Sequence, residues 1–346
     1  INDGKCEMDG MGRGILAERE WVKKCAEGRE DELRYCISCM NCFNVNPFSY
    51  EQTNCSVNPF ALREGSKRPI VQDGDGRLVA VIGAGPAGME AAVTLKQRGF
   101  DVVVFDKRDE IGGNLHVAKK PPFKGKFEWA IDYYKSMAKK LNITMKLGKE
   151  VTAQEVLALK PHSILVATGS NVISIPLEGL DQVQTVQAHD VLANDMQFAN
   201  KKVVVIGGGI TGLETALYIN RQGTNQVSVV DMLPEWPVDM LDMRYQNEAL
   251  LEVRHCNDQG VALFYNNKVV KFADGKLFIE STKDGEVKEL PADVIVLSVG
   301  VKPNDALWQE LLASGHPSVW KAGDAIATGK INKAVLHGSK FGYSLN

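Results

Sequence analysis

The sequence predicts an α/β protein with two doubly wound parallel sheets, because one strand-turn-helix-strand pattern occurs twice. In the first copy the apolar run Leu78-Val79-Ala80-Val81-Ile82 leads into Gly83-Ala84-Gly85-Pro86-Ala87-Gly88. A helical stretch from Met89 to Arg98 follows, then Val102-Val103-Val104-Phe105, ending at Asp106. In the second copy Val203-Val204-Val205-Ile206 leads into Gly207-Gly208-Gly209-Ile210-Thr211-Gly212. A helix from Leu213 to Arg221 then precedes Val227-Ser228-Val229-Val230, ending at Asp231, and the two copies stand about 125 residues apart.

Each element of the pattern has a physical reason. The first glycine permits a tight turn, the second lets the backbone approach a pyrophosphate, and the third lets helix and strand pack closely. The helix N-terminus then faces the phosphate charge. An acid at the end of the next strand accepts hydrogen bonds from ribose hydroxyls. One such fingerprint is weak, but two in the correct setting, each with its acid, point to two nucleotide sites.

Ser163-Ile164-Leu165-Val166-Ala167-Thr168-Gly169-Ser170 is an apolar strand ending in a small polar turn, and Ala292 to Gly300 echoes it after the second unit. Both read as strands that return the chain from one domain to the other. Near the end, Ser318-Val319-Trp320-Lys321-Ala322-Gly323-Asp324-Ala325 precedes Ile331, Ala334, Val335, Phe341 and Leu345 at helical spacing. Asp324, an acid between a strand and a helix, is a natural ribityl or ribose ligand, and that helix N-terminus would face a flavin ring.

The 346 residues are enough for two to three domains, and 44% hydrophobic with 24% charged residues is ordinary for a globular chain. A net charge of −3 gives no electrostatic case for nucleic acid or an anionic membrane as main partner. No apolar run approaches the ~20 residues of a membrane span, and the first residues lack the order of a secretory signal. The sequence therefore predicts a cytoplasmic protein. Of seven cysteines, Cys36, Cys39, Cys42 and Cys55 fall within twenty residues, which in such a compartment argues for metal over disulfides. Cys6, Cys25 and Cys256 stand alone and are expected to be ordinary thiols.

The order Gly-x-Gly-x-x-Gly, acid, Ala-Thr-Gly, Gly-x-Gly-x-x-Gly, acid, Gly-Asp over residues 77 to 346 resembles the two-dinucleotide flavoprotein disulfide-reductase-like fold. That resemblance implies two Rossmann-like domains, the second inserted in the first. FAD would lie at Gly83, Gly85, Gly88, Asp106, Gly112, Gly113, Ala167, Thr168, Gly169, Gly323 and Asp324. NADH would lie at Gly207, Gly209, Gly212, Asp231 and Gly300. A carboxylate at Asp231 favours NADH over NADPH, and Met232-Leu233-Pro234 offers no arginine to hold a 2′-phosphate. The family's Cys-x-x-x-x-Cys redox pair is missing after the first unit, so disulfide reduction is not expected.

The segment from Met8-Asp9-Gly10-Met11-Gly12-Arg13-Gly14 into Cys36-Ile37-Ser38-Cys39 resembles the end of the barrel domain of multi-domain old yellow enzyme relatives. These include 2,4-dienoyl-CoA reductase, enoate reductases and trimethylamine dehydrogenase. The resemblance implies that residues 1-33 are the last βα unit of a TIM barrel, with Gly12 and Arg13 on an FMN phosphate. A barrel needs about 250 residues. That need, and Ile1 in place of an initiating Met, predict the C-terminal half of a protein near twice this size. Residues 34-76 would form a [4Fe-4S] loop and linker, 77-175 with 301-346 the FAD domain, and 176-300 the NAD(H) domain.

Cys36, Cys39, Cys42 and Cys55 match the ligand set of that cluster, and Cys55-Ser56-Val57-Asn58-Pro59 matches its closing motif. The family intervals are two, three and eleven residues; here they are two, two and twelve, with Cys42 one position short of Phe43. A zinc site on the same thiolates, or an unmetallated loop, are the alternatives.

Together these parts imply electron flow from NADH through FAD and the iron-sulfur cluster to FMN in the barrel, where an activated C=C bond of an enoate, enoyl thioester or enone is reduced. The catalytic acid would lie in that barrel. An amine dehydrogenase of the trimethylamine dehydrogenase type, with ADP held structurally and the half-chain docking a partner, is the second reading. A glutamate-synthase small-subunit type predicts two cysteine clusters and no barrel remnant. A homo-oligomer or an electron-transfer partner is compatible with the first reading. The six histidines show no ligand spacing; Trp129, Trp236, Trp308 and Trp320 are expected as core or interdomain anchors, and Lys119-Lys120-Pro121-Pro122 as an exposed loop.

Overall fold

The computed structural model describes residues 4–5, 7–8, 10–43, 53–66, 69–234 and 243–346; Cys6 and Trp236 lie outside these. Two short helices, α1 (Arg13–Ala17) and α2 (Trp21–Ala26), occupy the segment expected to end a barrel. Among the described residues before them there is no strand. A barrel strand takes its hydrogen bonds from strands on either side, and no strand pairs with the described residues of this segment.

The first unit runs β1 (Leu78–Ile82), α3 (Pro86–Gln97), β2 (Asp101–Phe105), α4 (Leu115–Ala118), α5 (Glu128–Lys140), β3 (Thr144–Lys146), α6 (Ala153–Ala158) and β4 (Ser163–Val166). After β5 (Ser170–Val172) come β6 (Gln184–Gln187), α7 (Ala188–Ala193), β7 (Lys202–Ile206), α8 (Ile210–Asn220), β8 (Gln226–Val230), α9 (Met243–Asp258) and β9 (Ala262–Phe264). A meander of β10 (Asn267–Ala273), β11 (Lys276–Ser281) and β12 (Val287–Pro291) precedes β13 (Val294–Leu297) and β14 (Val301–Pro303). The chain ends with α10 (Ala306–Ala313), β15 (Val319–Lys321) and α11 (Ile331–Ser344).

Two five-stranded sheets result, β15-β4-β1-β2-β3 and β6-β13-β7-β8-β9, each paired in parallel throughout. The second is inserted between β4 and β15 of the first. β4 and β13, expected to carry the chain between units, are instead sheet-interior strands, buried at every position. A run that is apolar at successive positions belongs inside a parallel sheet covered on both faces. The crossing is made just beyond them by β5 and β14, antiparallel with Val301 opposite Val172.

Each sheet is covered on both faces. Val79, Val81, Val102 and Val104 pack on one side of the first sheet with Met89, Leu95 and Met137 of α3 and α5. Ala80, Ile82, Ile164 and Val166 pack on the other with Val156 of α6 and Leu311 of α10. In the second sheet the meander replaces helices on one face, through Phe272, Leu277 and Ile279 against Val204, Ile206 and Ile295. A third, smaller core lies beneath the cysteine loop, where Ala17, Ile37 and Val57 meet Leu115, Phe127 and Ile131. Ala17, Ile37 and Val57 thereby pack the segment around them onto the first nucleotide unit.

Candidate functional site

The two glycine-rich turns are near-copies in three dimensions. Gly83 and Gly207 have φ of +113° and +109°, a backbone that L side chains rarely adopt. A Cβ at either would stand 2.2 Å from a carbonyl oxygen, of Ala167 or of Ser298. The third glycines, Gly88 and Gly212, would each press a Cβ to 1.9 Å from the carbonyl oxygen of the first. The second glycines differ in kind. A Cβ at Gly209 would meet nothing within 4 Å, and one at Gly85 only the Cα of Gly113 at 3.9 Å. Space is therefore kept open where a pyrophosphate would lie. Gly85 and Gly209 are also the N-caps of α3 and α8; neither has a side-chain cap, and neither helix has an acid in its first turn. Uncapped amides and an open approach fit a dinucleotide phosphate at each turn.

The strand-end acids are likewise matched. Asp106 accepts from the amide of Ala84 at 2.6 Å and of Arg108 at 2.8 Å. Asp231 accepts from Gly208 at 2.6 Å and from Leu233 at 2.8 Å. Each carboxylate keeps lone pairs for ribose hydroxyls, since two oxygens offer about four acceptor sites.

The remaining expected FAD residues gather round the first turn. Gly112 and Gly113 both have positive φ, and a Cβ on Gly113 would lie 2.8 Å from the Cα of Gly85. Gly169 and Gly300 occupy equivalent places beyond β4 and β13, each with positive φ. Thr168 donates to the carbonyl of Asn304 at 2.6 Å, so its hydroxyl fastens the crossing strands. A Cβ on Gly323 would lie 3.0 Å from the Cβ of Ala87 in α3. Asp324 is half-buried and accepts from the Gly329 amide at 3.1 Å; burial pushes its carboxyl above the ordinary range. Burial lowers the pKa of His337 of α11, whose Nδ1 is enclosed with no partner among the described residues.

The four clustered thiols, all half-buried, line one small cavity together with Arg13, Leu16, Ile37, Met40, Ser56 and Val57. Among the described residues no three His, Cys, Asp or Glu side chains stand close enough to hold a single ion. A zinc ion draws four sulfurs onto one centre, whereas a four-iron cluster takes each sulfur on a different iron and sets them further apart. Four thiols on one cavity wall are a donor set that either group could take. Burial and the neighbouring Cys39 and Cys36 push the Cys42 thiol up. Burial also raises Cys55, against the amides of Val57 and Asn58, which donate to its sulfur. Such donors suit a bound thiolate. Arg13 lies in the wall of this cavity, its Nη1 2.9 Å from Met40 Sδ, and Gly12 beside it is exposed.

Cys25 is half-buried and Cys256 is buried, its thiol pushed up to about 12 by burial, as isolated thiols should be. Three other expectations change. Trp320 is 51% exposed and no core anchor, and Trp129, 38% exposed, lies outside the core but meets Tyr35 of the cysteine segment with 5.6 Å between ring centroids. The Lys119 to Pro122 loop is half-buried or buried, and it bridges the two units: Lys119 pairs with Glu128, Lys120 with Asp195 at 2.5 Å. Lys124 extends the bridge to Glu214 of α8 at 2.9 Å. Sequence reasoning also missed Arg34, Glu90 and Asn332, which join the cysteine loop to α3 and α11. A buried acid in an otherwise apolar helix, Glu90, was the available signal.

Two nucleotide turns of this construction, one unit inserted in the other, define a nicotinamide-dependent flavin oxidoreductase. Residues 77–335 match the pyridine nucleotide-disulphide oxidoreductase family, and the chain belongs to it. Its class is that of an NADH-dependent flavin oxidoreductase, and its first 76 residues continue the likeness to old yellow enzyme-like reductases. An NADH oxidase of Thermoanaerobacter brockii is 33% identical over 100% of the chain and 53% of its own length. A bilirubin reductase of Mediterraneibacter gnavus is 33% identical over 88% of the chain and 46% of its own length. The solved structure of a 2-naphthoyl-CoA reductase with 2-naphthoyl-CoA matches at a TM-score of 0.90 and 29% identity, over 99% of the chain and 51% of that one. The chain spans about half the length of the curated relatives it matches. Among the described residues no helix is long and apolar enough to cross a membrane.

Proposed function

We propose that this chain is the NADH-side half of a flavin and iron-sulfur reductase that serves an FMN barrel acting on an activated C=C bond. The observation that carries the reading is a shared wall. Ile331, in the first turn of α11, packs against the same buried cluster as Cys36, Cys39 and Cys55, and further along that helix Gly338 lies on Ala87 in the first turn of α3.

Each residue has a definite task in this scheme. Gly85 and Gly209 leave room for the two pyrophosphates, and the first-turn amides of α3 and α8 face their charge. Asp106 and Asp231 orient the riboses, and Asp324 accepts from the ribityl chain. Cys36, Cys39, Cys42 and Cys55 would hold the iron-sulfur cluster as thiolates. Gly12 and Arg13 would meet the FMN phosphate of the barrel. FAD bound here supplies the exchange between a hydride pair and single electrons that joins the nicotinamide to the cysteine site. The names bilirubin reductase and 2-naphthoyl-CoA reductase support an unsaturated small molecule as final substrate; the electron flow proposed here belongs in the cytoplasm. The second open turn, at Gly209, weighs against a purely ADP-holding role.

An anaerobic ultraviolet-visible spectrum with iron and sulfide assay, before and after NADH, tests this. Flavin bands that bleach with NADH and about four irons per chain are expected. A colourless protein overturns the reading in favour of structural ADP, and flavin with zinc in place of iron removes the cluster from it.

A further inference from the structure

Two polar bridges tie the cysteine loop to the helices that frame the FAD site. In the first, Arg34, two residues before Cys36, donates Nη1 to the carbonyl of Val57 at 2.6 Å. Val57 lies two residues beyond Cys55, so one guanidinium holds both ends of the loop. The same group makes a forked pair with Glu90 of α3, 2.8 Å from Nη1 to Oε2 and 3.0 Å from Nη2 to Oε1. The Glu90 side chain is only 3% exposed, and it also accepts from Tyr134 at 3.1 Å, while Arg34 lies 4.4 Å over the ring of Tyr133. In the second bridge Asn54, next to Cys55, accepts at Oδ1 from Asn41 at 2.6 Å and from Asn332 of α11 at 3.0 Å. The Oδ1 of Asn332 is buried with no partner among the described residues.

Each bridge therefore runs from a residue beside a cluster cysteine to a helix whose first turn belongs to the FAD site. α3 presents Gly85, and α11 begins at the wall shared with the cysteines. A loop fixed by four metal-ligand bonds keeps Arg34 and Asn54 where Glu90 and Asn332 need them. When the loop relaxes, a buried carboxylate in α3 is left without its cation, and the helix must adjust to solvate it. Two sites that bias one element are coupled, and the coupling acts in both directions.

We propose that Arg34, Glu90, Asn54 and Asn332 are positioning residues that couple the two sites, so that filling the cysteine site slows loss of FAD and bound FAD slows loss of iron. This rests on the FAD and iron-sulfur reading above. Iron and flavin are first counted in the purified chain; absence of either there overturns that reading and not the coupling alone. Iron is then stripped with ferricyanide and EDTA, and FAD release is followed by the rise of flavin fluorescence. About tenfold faster release from the stripped protein is expected, within the usual range of coupling. Equal rates from loaded and stripped wild type overturn the proposal.

The double substitution Arg34→Met with Glu90→Leu removes both charges together and leaves no buried unpaired charge, only the neutral Tyr134 hydroxyl and Val57 carbonyl without these partners. Its loaded and stripped forms should release FAD at the same rate, whereas a merely structural defect would speed both and preserve their ratio. Asn332→Ala, a smaller change, should reduce the ratio in the same sense and serves if the double variant does not fold. A ratio unchanged in the variants overturns the assignment of these residues.

Discussion

Gly338 of α11 rests directly on the carbonyl oxygen of Ala87 in α3: a Cβ at Gly338 would stand 2.1 Å from that oxygen. One turn on, a Cβ at Gly342 would stand 2.6 Å from the Cβ of Thr94. The last helix is thus laid on the first nucleotide helix backbone to backbone, which only glycine allows. Because Ala87 belongs to the first turn of α3, this crossing also sets the phosphate-facing end. Gly338→Ala should cost about 1–3 kcal/mol, as overpacking does. A lowered melting temperature that excess FAD only partly restores is expected; an unchanged melt would show that the helices separate freely.

Asp231 should decide between the two nicotinamide cofactors. Its carboxylate sits where a ribose 2′-hydroxyl would donate and a 2′-phosphate would be repelled. Hydrogen bonds to charged groups contribute about 1.5–3 kcal/mol, so Asp231→Ser should raise KM for NADH about tenfold and leave NADPH little changed. Steady-state diaphorase assays with both cofactors measure this. If their ratio of kcat/KM does not narrow, Asp231 merely closes the turn through Gly208 and Leu233.

Asp324 predicts a trade between stability and cofactor binding. Burial holds its carboxyl above the range of the unfolded chain, so the folded state binds the extra proton. That favours folding at low pH, and the advantage is lost as pH rises through the raised folded value. At neutral pH the charged, half-buried group is a cost. Asp324→Asn should make the flavin-free protein at least as stable at pH 7, with little difference in acid, while weakening FAD retention. Urea titrations of the flavin-free protein at both pH values, and fluorescence titration with FAD, check the two halves.

The two glycine turns were legible in sequence because each is local. Gly83, Gly85 and Gly88 carry their geometry within one turn, and so do Gly207, Gly209 and Gly212. What sequence reasoning missed is long-range. Arg34 meets Glu90 across 56 residues and Asn54 meets Asn332 across 278, and neither pairing has a spacing to read. β4 and β13 were recognised as strands but given the wrong task. An apolar run shows burial, and only pairing shows which sheet supplies it. Lys119 and Lys120 read as solvated charges because Glu128 and Asp195, their partners, lie on other elements.

The N-terminus of α6 supplies an acid-range prediction. Thr152 caps the helix and accepts from the Glu155 amide at 3.3 Å, while Glu155 accepts from the Thr152 amide at 2.9 Å. Its ion pair with Lys149, and then these bonds, hold the Glu155 carboxyl down from 4.5 to about 2. A depressed carboxyl contributes stability that is complete above the unfolded value and lost as pH falls through the folded one. Glu155→Gln should therefore be less stable than wild type at pH 6, with the difference fading between about 4.5 and 2. Thermal melts across that interval test it, and a pH-independent difference would show that the charge is irrelevant to the cap.

Cys42 is the ligand whose position departs from the resemblance, and it can be tested against a thiol of the same chain. It shares one cavity with Cys36, Cys39 and Cys55, whereas Cys25 lies outside that lining. Cys42→Ser replaces a soft thiolate by a hydroxyl with little affinity for iron. Iron should fall from about four per chain to near zero or to a three-iron remnant. Cys25→Ser should keep its full complement. Bleaching of the flavin by NADH at saturating FAD should survive in both, because the nicotinamide and flavin turns are built without the cysteine loop. Iron assay and electron paramagnetic resonance of the dithionite-reduced proteins read the outcome. Full iron in Cys42→Ser would move the fourth ligand elsewhere and leave Cys42 as a bystander in the cavity wall.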